Sequence, residues 1–131
     1  MITRILQTGE QVTPIPYWEG YYITTFGRVI SGKRKYTYTT YDGSKTTITK
    51  YRELSQYDVR GYKRVSLYKG KQRADLYVHD LVIQCFKGVA DKKYYKVIHK
   101  NHDKLDNHIN NLDYKLRKNH NTGGFAYEQI F

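Results

Sequence analysis

Apolar and polar residues alternate through most of this chain, and the alternation gives way to a helical period at only a few places. Tyr22 to Thr24 reads as a strand, Gly27 as a turn, and Arg28 to Ser31 as a returning strand. A Tyr/Thr alternation then runs to Tyr41. Asp42-Gly43 is a hairpin turn signal, and Thr46 to Thr49 reads as the return strand. Tyr62 to Tyr68 alternates again, with Val65 and Leu67 on one face. Gly70 is a turn, and Leu76 to Val78 closes the next strand. From Val78 to Phe86 the period changes. Leu81, Val82, Cys85 and Phe86 form one apolar face of a short helix, which Gly88 ends. A short apolar strand (Tyr95, Val97), a polar loop rich in Asn and Asp, and Asn111-Leu112 follow. A basic segment after Tyr114 is expected to be helical up to Gly123-Gly124. Residues 1–13 are weakly patterned and read as peripheral. The pattern predicts an α+β fold of small antiparallel β-hairpins followed by a short helix. It divides into a β-rich module over 1–60 and a second unit over 61–131.

Length adds that this is one domain, or two small modules sharing a modest core, in 131 residues. Hydrophobic content is 39%, and 15 tyrosines supply much of it. Tyrosine suits half-buried strands, with the ring packed and the hydroxyl wet. Lys and Arg exceed Asp and Glu by 23 to 12, for a net charge of +11. That excess implies an anionic partner, nucleic acid first, although a solvated basic surface without a specific partner carries the same charge. Cys85 is the only cysteine, so no disulfide forms within the chain and cysteine-pair zinc sites are excluded. This usage fits a reducing cytosol. The N-terminus lacks the apolar run of a signal peptide, and no segment approaches the roughly 20 apolar residues of a membrane span.

Candidate chemistry concentrates in Lys96 to Thr122, KVIHKNHDKLDNHINNLDYKLRKNHNT. Within it His99, Asn111 and His120 stand at intervals of 12 and 9 residues. His, Asn and His in that order on strand, loop, strand and helix resemble the ββα-metal motif of HNH endonucleases. The likeness is to the phage and intron-encoded homing type. Upstream, Gly20, Tyr21, Tyr22, Gly27, Arg28, Val29 and Ser31 fall on the pattern of the small module that precedes the motif in that family. Val78, His79, Leu81, Val82 and Phe86 match its Val-His-x-Leu-Val segment and closing Phe. The resemblance covers about residues 14 to 122.

The resemblance implies a metal-dependent, DNA-cutting, nicking or site-specific enzyme. His99 would be its general base, and Asn111 would hold the loop that sets the angle of that ring. His120 would be a ligand to Mg²⁺ or Mn²⁺, with Asp103 and His102 as candidates to complete the set. Lys100, Lys104, Lys115, Arg117 and Lys118 surround the motif and are expected on phosphate oxygens. Lys33, Arg34 and Lys35 open a Tyr-rich ribbon suited to double-stranded DNA, or equally a solvated two-stranded arm. Four positions depart from the family pattern. The usual metal ligand before the base is Ile98, which cannot bind metal. Asn101-His102-Asp103 stands for Asp-Gly-Asn, Asp106 replaces one of the paired asparagines and leaves Asn107, and Tyr114 replaces tryptophan. Three other readings stay open: an HNH scaffold that only binds DNA or protein, an RNA-binding protein stacking bases on tyrosines, and a zinc site from His99, His102, His108 and His120.

Overall fold

The computed structural model describes residues 2–117. The strands are β1 (Val12–Pro14), β2 (Tyr21–Thr24), β3 (Val29–Thr39), β4 (Lys45–Glu53), β5 (Tyr57–Val59), β6 (Tyr62–Lys69), β7 (Gln72–Tyr77), β8 (Tyr95–His99) and β9 (Leu112–Leu116). A single α-helix among the described residues, α1 (Val78–Lys87), sits between β7 and β8. All strand pairings are antiparallel. They form a four-stranded sheet β1-β2-β3-β4, a three-stranded sheet β5-β6-β7 and the two-stranded hairpin β8-β9. No helix among these residues is long and apolar enough to cross a membrane.

The expected α+β architecture is present, with three local corrections. Val78 opens the helix and does not close a strand, because β7 runs into α1 with no intervening turn. The N-terminal residues are not merely peripheral. β1 is an edge strand on β2, and Glu10 is buried with its carboxylate 2.6 Å from the Arg28 guanidinium. Lys115 and Leu116 belong to β9 and not to a helix; the rest of the expected helical segment lies outside the described residues.

Helix and core follow from the spacing. Val78, Leu81 and Val82 fall on one side of α1 and are buried, joined by Ile83. Asp80 in the first turn and Lys87 in the last complement the helix dipole. Gly88 ends the helix at φ 91, a left-handed value that costs glycine nothing. One buried cluster joins Ile23 and Val29 from the first sheet, Val65 and Leu67 from the second, the α1 face and Leu112 of β9. Residues on both sides of position 60 therefore meet in a common core. Leu112, fully buried, fixes the β8-β9 hairpin to it, with Val97, Ile109 and Tyr114 packed alongside.

The β3-β4 ribbon is longer than the sequence pattern suggests, since its ladder continues down to Ile30 opposite Glu53. Its outer part, the Tyr/Thr stretch that alternates in sequence, is largely solvated on both faces.

Candidate functional site

β8 ends at His99, and the chain then loops back to β9 through residues 100–111. Asn111 closes this loop. Its side-chain amide donates to the Asp106 carbonyl at 2.8 Å and to Asn101 Oδ1 at 3.0 Å. Its Oδ1 accepts from the Asn101 N–H, and its carbonyl from the Lys100 N–H. Short side chains satisfy the remaining turns: Asp103 accepts from the Leu105 N–H, and Asp106 from the His108 N–H. His102 turns the chain at φ 65, at the position where the family carries glycine. These bonds tie the two ends of the loop together, and none of them reaches the His99 ring.

Asn107 is the residue that holds that ring. Its Oδ1 lies 2.8 Å from His99 Nε2, and both side chains are buried. An amide oxygen only accepts, so this contact makes Nε2 the donor and, in the neutral ring, leaves the lone pair on Nδ1. The sequence offered Asn107 only as the surviving member of an asparagine pair. The first module supports this loop from below. The Ile109 N–H donates to the Thr25 carbonyl at 2.8 Å, and the Phe26 and His108 rings pack at 4.9 Å.

A second histidine packs against His99. The His79 ring meets the His99 ring edge-on at 5.4 Å and stacks on Tyr77. Tyr62 packs against both histidines. Burial pushes the His79 imidazole below its ordinary value, and His99 and Lys92 act the same way. Asp80, 3.5 Å away, opposes them and loses. The sequence reads His79 as a structural anchor of the helix start against the motif, and the ring contact with His99 is where the two meet.

His99 lines an open cleft of about 560 Å³ together with Tyr62, Ile98 and His102. Four lysines complete the rim: Lys96, Lys100, Lys104 and Lys115. Ile98 is half-buried and on the same cleft, so the departure from the family pattern falls inside the site. The described residues at the cleft do not fit a hard divalent cation, which takes oxygen ligands. Among the described residues no carboxylate lines the cleft, Asp103 is engaged within its own turn, and no group of three His, Cys, Asp or Glu side chains is placed for a metal. His120 and Lys118 lie outside the described residues.

Lys33 reaches back to the second sheet, with its ammonium 2.8 Å from the Tyr68 carbonyl and 4.9 Å from the Tyr21 ring. Arg34 and Lys35 are exposed on opposite faces of the β3-β4 ribbon. Arg117 lies across the hairpin, its Nε donating to the Lys92 carbonyl at 2.9 Å.

The β8-β9 hairpin ends one strand on a buried histidine and closes its loop with asparagines, and the fold around it is similar to that of a solved HNH endonuclease. The solved structure describing DNA binding and cleavage by the HNH homing endonuclease I-HmuI is similar to this chain. Its TM-score is 0.60 and its identity 24%. The likeness covers 91% of this chain and 56% of that one, so this chain spans little more than half its length. At that identity the likeness is one of fold. No family model and no curated protein sequence matches the chain.

Proposed function

We propose that this protein binds double-stranded DNA and hydrolyses its phosphodiester backbone, nicking one strand, with His99 as general base. The observation that carries the reading is the His99–Asn107 bond at the rim of a lysine-lined cleft. It leaves Nδ1 as the basic nitrogen of a histidine held by a buried partner. A water placed between Nδ1 and a phosphate bound by the lysines would lose its proton to that nitrogen as its oxygen attacks phosphorus. Fixing the ring lowers the entropy cost of the step. The Mg²⁺ or Mn²⁺ expected from the resemblance finds no donor set among the described residues, so no step is routed through it.

A second reading, a DNA-binding scaffold that has lost its chemistry, is favoured by one observation, Ile98 at the metal-ligand position inside the cleft. Supercoiled plasmid incubated with wild type and with His99→Ala separates the two. Nicking by wild type, reduced about 10² to 10⁴-fold in the variant with duplex affinity kept, supports the enzyme. Tight binding without nicking under any cation condition establishes the scaffold. Equal nicking by both proteins removes His99 from the mechanism.

A further inference from the structure

The β8-β9 register sets Lys96 directly opposite Lys115, and Ile98 directly opposite Asp113. Opposed residues of an antiparallel pair share a face, with Cβ atoms roughly 5 Å apart. Two ammonium groups so placed repel each other, and the ladder is weaker for it unless an anion lies between them. Lys100 and Lys104 bring two more positive charges to the same cleft, and Lys104 Nζ sits 4.8 Å over the Tyr62 ring. Asp113 shares the face of Ile98 but does not line the cleft. Its carboxylate accepts from the Tyr114 N–H and lies 3.9 Å from the Lys87 ammonium.

We infer that the cleft neutralises its phosphodiester with the ammonium groups of Lys96, Lys100, Lys104 and Lys115, in place of a divalent cation. This rests on the reading of the cleft as a DNA site given above. In the hydrolysis, the water oxygen bonds to phosphorus while the bond to the leaving oxygen breaks. The water proton passes to His99 Nδ1, and the leaving oxygen takes a proton from a lysine ammonium. Both groups then return to their starting states by exchange with water. Ile98 fits this arrangement because a lysine-neutralised phosphate needs no metal ligand at that position.

Three measurements on the full chain test the inference. Calorimetric titration of wild type with Mn²⁺ is expected to show no saturable binding. Inorganic pyrophosphate is expected to raise the melting temperature of wild type but not that of a Lys96→Ala/Lys115→Ala double variant. That variant, relieved of repulsion, should be at least as stable as wild type without the anion. Nicking should persist in EDTA and fall at least tenfold in the double variant. Saturable Mn²⁺ binding that Asp113→Asn or His120→Ala abolishes overturns the inference, as does equal stabilisation of both proteins by pyrophosphate. Nicking that EDTA abolishes and Mg²⁺ restores also overturns it, but leaves the proposed function standing. Absence of nicking under all conditions removes the proposed function, and the cation and pyrophosphate measurements still decide the inference.

Discussion

Gly27→Ala is expected to damage a site about 70 residues away in sequence. Gly27 has φ 82, and a methyl added there would lie 2.9 Å from Asn107 Cβ and 3.0 Å from its carbonyl oxygen. The left-handed backbone costs an alanine about 1–2 kcal/mol. Overpacking against neighbours that cannot rotate away adds about 1–3 kcal/mol. Gly43→Ala is the control. Its φ is 90, with nothing within 4 Å of the added methyl, so it incurs only the first cost. Urea unfolding of the two variants should therefore differ by about 1–3 kcal/mol, with Gly27→Ala the weaker. To reach an ordinary contact the loop must retreat by roughly 0.5 Å, carrying the amide that holds His99. A misplacement of about 1 Å can cost on the order of 10² in rate, so nicking should fall roughly tenfold while duplex affinity holds. The His99 ring signals should shift in the NMR spectrum of Gly27→Ala and not in that of Gly43→Ala. Equal stabilities and an unmoved His99 ring would refute the packing argument.

Duplex affinity should fall steeply with salt, by a log–log slope of about −0.9 per phosphate contacted, so the four cleft lysines alone give roughly −3.6; a slope shallower than −1 by fluorescence anisotropy would remove them from the interface. Ile98→Asp should create saturable Mn²⁺ binding by calorimetry, since it brings a hard oxygen ligand into the cleft and the surrounding lysines offset its charge; no gain over wild type would mean that position 98 is not oriented to hold an ion. His79 is neutral and depressed by burial in the folded protein, so the unfolded chain takes up its proton first as pH falls below about 6.5. Stability should thus drop from that pH downward to the depressed folded value, and His79→Phe should flatten this slope in urea midpoints measured at pH 7 and 5.5; an unchanged slope would assign the acid loss to other groups.

The pieces of this fold that were legible in the sequence are those where one face is buried. Val65 and Leu67, or Leu81 and Val82, announce their elements because burial forces a period on them. The ribbon was read too short at its inner end, where the ladder runs on to Ile30 and Glu53 through an irregular register between Ser31 and Arg34. β1 was missed because a three-residue edge strand carries no period, and the buried Glu10 reveals itself only when Arg28 is seen beside it. The histidine, the asparagine-rich loop and Ile98 were readable because they sit at fixed intervals on one hairpin. What decides their chemistry was not readable. Which asparagine touches the ring depends on the path of the loop, and the His79 contact depends on how α1 packs behind β8. The opposition of Lys96 and Lys115 depends on a register that one residue of slip would undo, turning every side chain of the strand to its other face. That register is fixed by the buried Leu112, which pairs with His99 at the far end of the same ladder. The core residue that anchors the hairpin thus also aligns the lysines, so a Leu112 substitution that shifts the ladder would disperse the cleft charge while leaving each lysine in the sequence.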